Sequence, residues 1–394
     1  MGLTTWITRR AVRSAHVLIV EMPGHWTTRV HVERVVRAWG WHPAVAPADA
    51  DLLIVCGAPG PQMAPLVERV WGQLPGPRAQ ATVTAPAEVI PALGRAQAAL
   101  LDQRGQWEDA RDRAIEPDVE HGDTGHGDVD HGEMDHGDMD HGDMDHGDMD
   151  HGDMDHGDMD MKPGGIPLAE GSEDRDGLEM DVLHVSLGPL LPHWPAGLVL
   201  DCSLQGDVVV AAKAAWILGD VVGAHESDAY RPGTAGAVRL DNVATVLALA
   251  GWVAAATSAW RLRDDVLGAQ DPHALRPEIE RLRRRVARNR LLRWSLRRVR
   301  PIDAAELAER TWPRMWEGDV HDRLMSALDR ASASLATSER RRGALDGSAG
   351  MAGPAVDVTE VLPQVVHGLD VATARLAIAS LDLDPLGMTQ IQHV

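Results

Sequence analysis

Residues 121–161 read HGDTG, HGDVD, HGEMD and then HGDMD five times, closing on Met161. Each of the eight units carries one His and one or two carboxylates, and six carry a Met. A packed core needs rigid apolar surface. The only apolar side chains here are Val129 and the flexible Met residues, so the tract cannot build one. It must stand between segments that fold on either side of it. The expected organisation is a domain over residues 1–115, a disordered repeat linker over 116–175 and a second domain over 176–394.

The formal charge of −21 is a local property, because residues 121–160 hold fifteen Asp and Glu and no Lys or Arg, leaving −6 for the remainder. The acidity therefore says nothing against membrane contact elsewhere in the chain. Two Cys, Cys56 and Cys202, exclude a disulfide framework and a four-Cys metal site within the chain. The apolar run Val17–Val20 is shorter than a signal-peptide core, which makes the cytoplasm the expected compartment. Residues 243–260 are uncharged and close to membrane-span length, but they are mostly Ala with Thr and Ser, and read as a buried helix.

The repeat has ligand chemistry but no preset geometry. A five-residue spacing advances about 140° per unit on a helix and alternates sides on a strand. The candidate ligands are His121, His126, His131, His136, His141, His146, His151 and His156 with Met134, Met139, Met144, Met149, Met154 and Met159. Only a flexible chain can gather them around one ion. Imidazole suits copper, nickel and zinc, and thioether favours Cu(I), so Cu or Ni are the expected metals. The tract is similar in composition to Met/His/Asp tracts of copper-resistance proteins. The competing reading is a solvated tether lengthened by repeat expansion.

The flanks read as folded. Residues 15–20 (AHVLIV) and 51–56 (DLLIVC) are short buried strands, separated by a helix with apolar spacing at Val32, Val35, Val36 and Trp39. A Gly/Pro loop, a helix over MAPLVERVWGQL, a third strand in PGPRAQATVTA and a helical segment over 96–115 follow. The order β-α-β-α-β predicts a flavodoxin-like, doubly wound α/β domain. Beyond the repeat, 180–211 alternates, with a hairpin around Gln205-Gly206-Asp207. From about 214 to 340 the pattern is helical; 355–384 holds a short helix, VTEVLPQVV, and a strand-like ARLAIASLDL. The second domain is thus expected to be mainly helical α+β.

Residues 50–78, ADLLIVCGAPGPQMAPLVERVWGQLPGPR, resemble the small subunit of NADH:quinone oxidoreductases and of energy-converting nickel–iron hydrogenases over strand, loop and helix without a gap. Residues 187–211 look like the opening of the large subunit of the same complexes, with Gly188, Pro189, Pro192 and Pro195 in register. The C-terminus, with Asp384-Pro385, is similar to the ending of that subunit. The resemblance implies two normally separate subunits joined in one chain, the large one shortened.

The departures matter as much. In the family, loops beside the small-subunit motif supply Cys to an iron–sulfur cluster, which needs four thiolates. Here those loops read EMPGHW and VTAPAEV, and Cys56 sits within the strand, where a small buried hydrophobe is expected. Where large subunits have two metal-ligating Cys, this chain has Leu386 and Thr389, and where the family has a His facing the cavity it has Leu191, with His193 two residues on. No iron–sulfur or nickel–iron cofactor is therefore expected. The resemblance implies a cofactor-poor scaffold or accessory subunit at the inner face of the cell membrane, partnered by membrane proton-pumping subunits and not catalytic alone. The alternatives are a metal-binding protein using the repeat, and an active quinone oxidoreductase subunit.

Three further stretches carry chemistry. Residues 276–300 hold eleven Arg around an imperfect apolar stripe of Ile279, Leu282, Val286 and Leu291, with Trp294 and Leu296 beyond. This reads as a solvated or ion-paired helix face, or as a docking helix for anionic lipid or another subunit; no nucleic-acid fold signature accompanies it, and nucleic acid is not an expected partner. His25 lies in a loop at the ligand edge of the predicted sheet, and His321-Asp322 reads as the start of a helix. GAPGPQ lacks the features of a dinucleotide loop, and no P-loop or Ser–His–Asp pattern occurs.

Overall fold

β1 (His16–Glu21) and β3 (Leu52–Cys56) lie side by side and parallel, Val17 opposite Leu52 and Glu21 opposite Cys56. The computed structural model describes residues 10, 12–115, 170–173, 179–218, 234–268, 272–342 and 357–383. β4 (Ala79–Val83) pairs parallel to β3, and a two-residue edge strand, β2 (His42–Pro43), pairs with β1, giving the order β2-β1-β3-β4. Sequence reading missed β2, since two residues carry no alternation. β3 is buried at all five positions because helices cover both faces of the sheet.

On one face, α1 (Trp26–Ala38) and α3 (Val89–Leu101) bring Val32, Val36 and Leu93 against Val17, Leu52 and Ile54. On the other, α2 (Ala64–Gly72) brings Val67 against Leu18, Val20, Leu53 and Val55. The segment read as one closing helix is in fact α3 followed, after Asp102, by α4 (Gln103–Ile115). Arg78 ties α4 down, reaching Asp109 at 3.0 Å and the Trp71 carbonyl at 2.6 Å.

The second module opens with an antiparallel sheet, β5-β6-β7-β8, comprising Glu170–Glu173, Glu179–Leu187, Leu198–Gln205 and Val208–Trp216. β7 and β8 form the expected hairpin, turning at Gly206, whose φ of +62° suits a residue without Cβ. β5 lies within the stretch 116–175 that was read as linker.

Eight helices among the described residues complete the module. α5 (Ala235–Leu249) and α6 (Val253–Gly268) are followed by α7 (Arg276–Arg288) and α8 (Arg290–Leu296). Then come α9 (Ala304–Arg310), α10 (Val320–Arg342), α11 (Val358–Val366) and α12 (Val371–Ser380). α5 is the centre, packed on α6, α10 and α12, while α11 lies on β8. The fold is thus a parallel four-stranded, flavodoxin-like sheet flanked by helices, with a mostly helical module that carries a small antiparallel sheet.

Three expectations are corrected. The uncharged run 243–260 is two helices, because Gly251 at φ +78° turns the chain between α5 and α6. No helix among the described residues is long and apolar enough to cross a membrane. The strand-like ARLAIASLDL is mostly α12: Asp370 caps it by accepting from the Thr373 amide at 2.9 Å, and its Ala-rich face fits closely against α5. In the Arg-rich stretch, Ile279, Leu282 and Val286 are buried, but Leu291 is not, since the helix breaks at Asn289 and restarts with Leu292 and Leu296 inward.

Candidate functional site at the junction of the two modules

α1 is buried on two sides. Val32 and Val36 face their own sheet, whereas Trp26 and Val30 enter the core of the helical module, among residues of α5 and α6. Helical geometry then places Arg29 and Glu33, one turn apart, in the seam. Asp241 waits there, the one acidic residue of α5, buried between the apolar Leu240 and Val243. It accepts from Trp26 Nε1 at 2.8 Å, from Arg29, and from Arg263 Nη1 at 2.5 Å. Arg263 of α6 is fully buried; it also reaches Glu33 at 2.7 Å and Asp264 at 2.8 Å. Arg29 further pairs with Glu21, at the end of β1, and Glu33, and Arg37 pairs with Asp264.

Three guanidinium groups thus meet four carboxylates, with each module supplying both signs. Burial opposes charge on Asp241, Glu33, Arg29 and Arg263, but there the ion pairs decide the outcome. Arg29 and Arg263 outweigh the desolvation of Asp241 and hold its carboxyl well below the usual range, and they lower Glu33 as well. The two arginines are held more firmly protonated than in water. Glu21 differs: desolvation prevails over Arg29 and raises its carboxyl. Glu21 thus accepts a proton more readily than Glu33 or Asp241.

Beside this network lies a cavity of about 800 Å³ lined by both modules. Glu21, Arg29 and Trp41 contribute from the first; Leu191, His193 and Trp260 contribute from the second. The loop 188–197 is held rigidly: Trp194 Nε1 donates to the Leu198 carbonyl at 2.8 Å, and Arg375 donates to the Pro192 carbonyl at 2.7 Å. At Gly188, φ +90°, an added Cβ would sit 2.1 Å from the Leu198 oxygen, so only glycine fits. His193, in the left-handed region at φ 57°, stacks on Trp260 with ring centroids 5.8 Å apart. Burial lowers its pKa, favouring a neutral imidazole that both donates and accepts. Leu191 and His193 thus face one cavity.

The carboxyl edge of the parallel sheet is where doubly wound folds bind ligands. Here it is filled from within. The His25 ring packs over Gly57, so that a Cβ added there would lie 2.4 Å from it, and Pro23 packs against Gly197 of the second module. Burial lowers the pKa of His25, while a hydrogen bond that the ring donates to the Thr84 backbone carbonyl partly offsets it. The loops at this edge, residues 22–25, 57–62 and 84–88, contain no thiol, and Cys56 and Cys202 lie buried in two separate cores. This donor set does not fit a cluster held by four thiolates.

Asp319, His321 and Asp322 place three ligand atoms within 4.8 Å of one another. Their geometry is that of a helix start. Asp319 accepts from the Asp322 amide at 3.0 Å, and Asp322 accepts from the Asp319 amide at 3.3 Å. Burial disfavours charge on His321 and prevails over Asp319 and Asp322, which favour it; Arg293 and Arg297 add to the effect of burial, and the amino end of α10 likewise disfavours a cation. The reading of His321-Asp322 as helix-start chemistry holds. The eight His and six Met of the repeat lie outside the described residues, as do Asp384–Thr389.

Sequence reading expected the two modules to pack on one another but did not foresee the charged residues that join them. The one legible signal was Asp241, the single acid of a mostly apolar helix, since a carboxylate on its buried face demands a partner. Compared with known proteins, the sequence matches no family model and no curated protein.

Proposed function

We propose that this chain is a cofactor-poor scaffold or accessory subunit of a membrane-bound complex of the hydrogenase or NADH:quinone oxidoreductase kind, working at the inner face of the cell membrane. The observation that supports this is the junction: a small-subunit-like α/β module and a large-subunit-like helical module are fastened by seven buried or half-buried charges around Asp241. Such a seam gives a rigid two-module body, as a scaffold requires. The chain's partners are then proton-pumping membrane subunits. Purification of the tagged chain from its native membrane tests this. Co-purification of multi-span membrane subunits, without stoichiometric iron or acid-labile sulfide, is the expected result. A chain recovered alone, or one carrying iron and sulfide, overturns it.

The junction cavity favours a second reading, a subunit that binds a quinone. Its apolar wall of Trp41, Leu191 and Trp260 suits a ring and tail, and Glu21 and His193 suit carbonyl oxygens. Calorimetric titration with a short-chain quinone is expected to show binding that Trp260→Ala abolishes. Equal binding by wild type and variant sinks this reading.

A further inference from the structure

We propose that α7 and α8 form a docking surface for anionic phospholipid headgroups. Between residues 276 and 300 eleven Arg face only two Glu. α7 spends its apolar residues on the core: Ile279, Leu282 and Val286 are buried. At Asn289 the backbone turns extended, and its side chain accepts from the Leu292 amide at 3.1 Å to start α8 afresh. The restart turns Leu292 and Leu296 inward and leaves Leu291 and Trp294 outward, 73% and 79% exposed. Three residues apart on a helix, these two large apolar side chains are neighbours.

Exposed guanidinium groups surround them. Among the described residues, no acidic side chain forms an ion pair with Arg281, Arg288, Arg290, Arg293 or Arg297, whereas Arg283 and Arg284 pair with Asp329 and Glu280. A solvated helix face has no use for a bare Trp and Leu. Charge complementarity alone would also suit the acidic repeat of this same chain. Leu291 and Trp294 decide for lipid. An indole and a leucyl group set among guanidiniums gain most where ionic headgroups and acyl chains meet within one side-chain length. The inference stands independently of the subunit proposal, since it rests on this surface alone.

The test is flotation of the purified full-length chain with vesicles of phosphatidylcholine, or of equimolar phosphatidylcholine and phosphatidylglycerol. Binding is expected only to the second, and is expected to weaken as salt is raised. The pair Leu291→Ser with Trp294→Ser, and the triple Arg290→Gln, Arg293→Gln, Arg297→Gln, should each weaken binding about tenfold or more. Both sets are exposed, so circular dichroism and melting should match wild type. Three results overturn the proposal. They are no flotation with anionic vesicles, binding unchanged in both variants, and binding seen only after deletion of residues 121–161, which would make the repeat the occupant.

Discussion

Trp26 donates its indole N–H to Asp241 at 2.8 Å across 215 residues of sequence, from the first helix of the α/β module to the central helix of the other. A carboxylate in an apolar helix is tolerated only when its lone pairs are filled, and here an indole and two guanidiniums fill them. The junction is therefore specific: in this register residues of both modules satisfy Asp241 and the fully buried Arg263.

Breaking the network on one side should be costly. Arg263→Ala leaves the buried Asp241 and the half-buried Glu33 with one cation fewer, and is expected to destabilise the protein by about 3–5 kcal/mol. Asp241→Ala should cost a similar amount, and the double variant clearly less than the sum, because the two share one interaction. Chemical denaturation of the three variants checks this; full additivity would mean that the two residues act separately.

Acid should loosen the junction. Asp241 and Glu33 are held below their ordinary pKa values of 3.8 and 4.5, so they contribute stability that is fully present above those values and is lost as pH falls through the lowered ones. His193 and His25, lowered from 6.5, add a penalty that begins below that pH, since the unfolded chain binds the proton more readily. Glu21 has the opposite sign: its raised pKa favours the folded state under acid and is a cost above the ordinary 4.5. Melting temperature should decline from about pH 6.5 downward and more steeply below about pH 4. Asp241→Asn should flatten the steeper limb; an unchanged limb would place the acid-sensitive group elsewhere.

Gly57→Ala should destabilise the α/β module by about 1–3 kcal/mol. At φ +102° a side chain is strained, and its Cβ would lie 2.4 Å from the His25 ring. Adding His25→Ala removes the clash and leaves the backbone strain. Partial recovery in the double variant is the expected outcome in thermal melts.

Both thiols should be silent in the native protein. Burial raises Cys56 well above the usual thiol range, and burial with the nearby Asp201 raises Cys202 to about 11. A thiol reagent should count two Cys in denaturant and none at neutral pH without it. Rapid native labelling would contradict the packing of β3 and β7.

The repeat should bind metal in solution. Titration with Cu or Ni is expected to show several weak sites in wild type and none in a chain lacking residues 121–161. Chelator should reverse the binding without changing the melting of the flanking modules. If both chains bind equally, the metal reading of the His and Met residues is lost.

Periodicity exposed the parallel sheet because β3 is a continuous apolar run and α1 repeats Val at helical spacing. The β7–β8 hairpin was equally legible from its Gly-Asp turn. The same rules failed at α12, where short apolar runs fit helix and strand alike and packing on α5 decided. They failed also at Leu291, where one cap shifted the phase of a helix.

By itself the sequence determined that two cores flank an acidic repeat, that the first core is a doubly wound sheet, and that the chain offers only two thiols. These are properties of local pattern and composition. Only the tertiary structure decided that the polar side of α1 is an interior one. Arg29 and Glu33 sit at a spacing that suits a solvated helix face. They became half-buried because Asp241 and Arg263, more than two hundred residues away, arrive with the complementary charges. Local sequence fixes which side chains share a helix face; which face loses its water depends on what the rest of the chain packs against it.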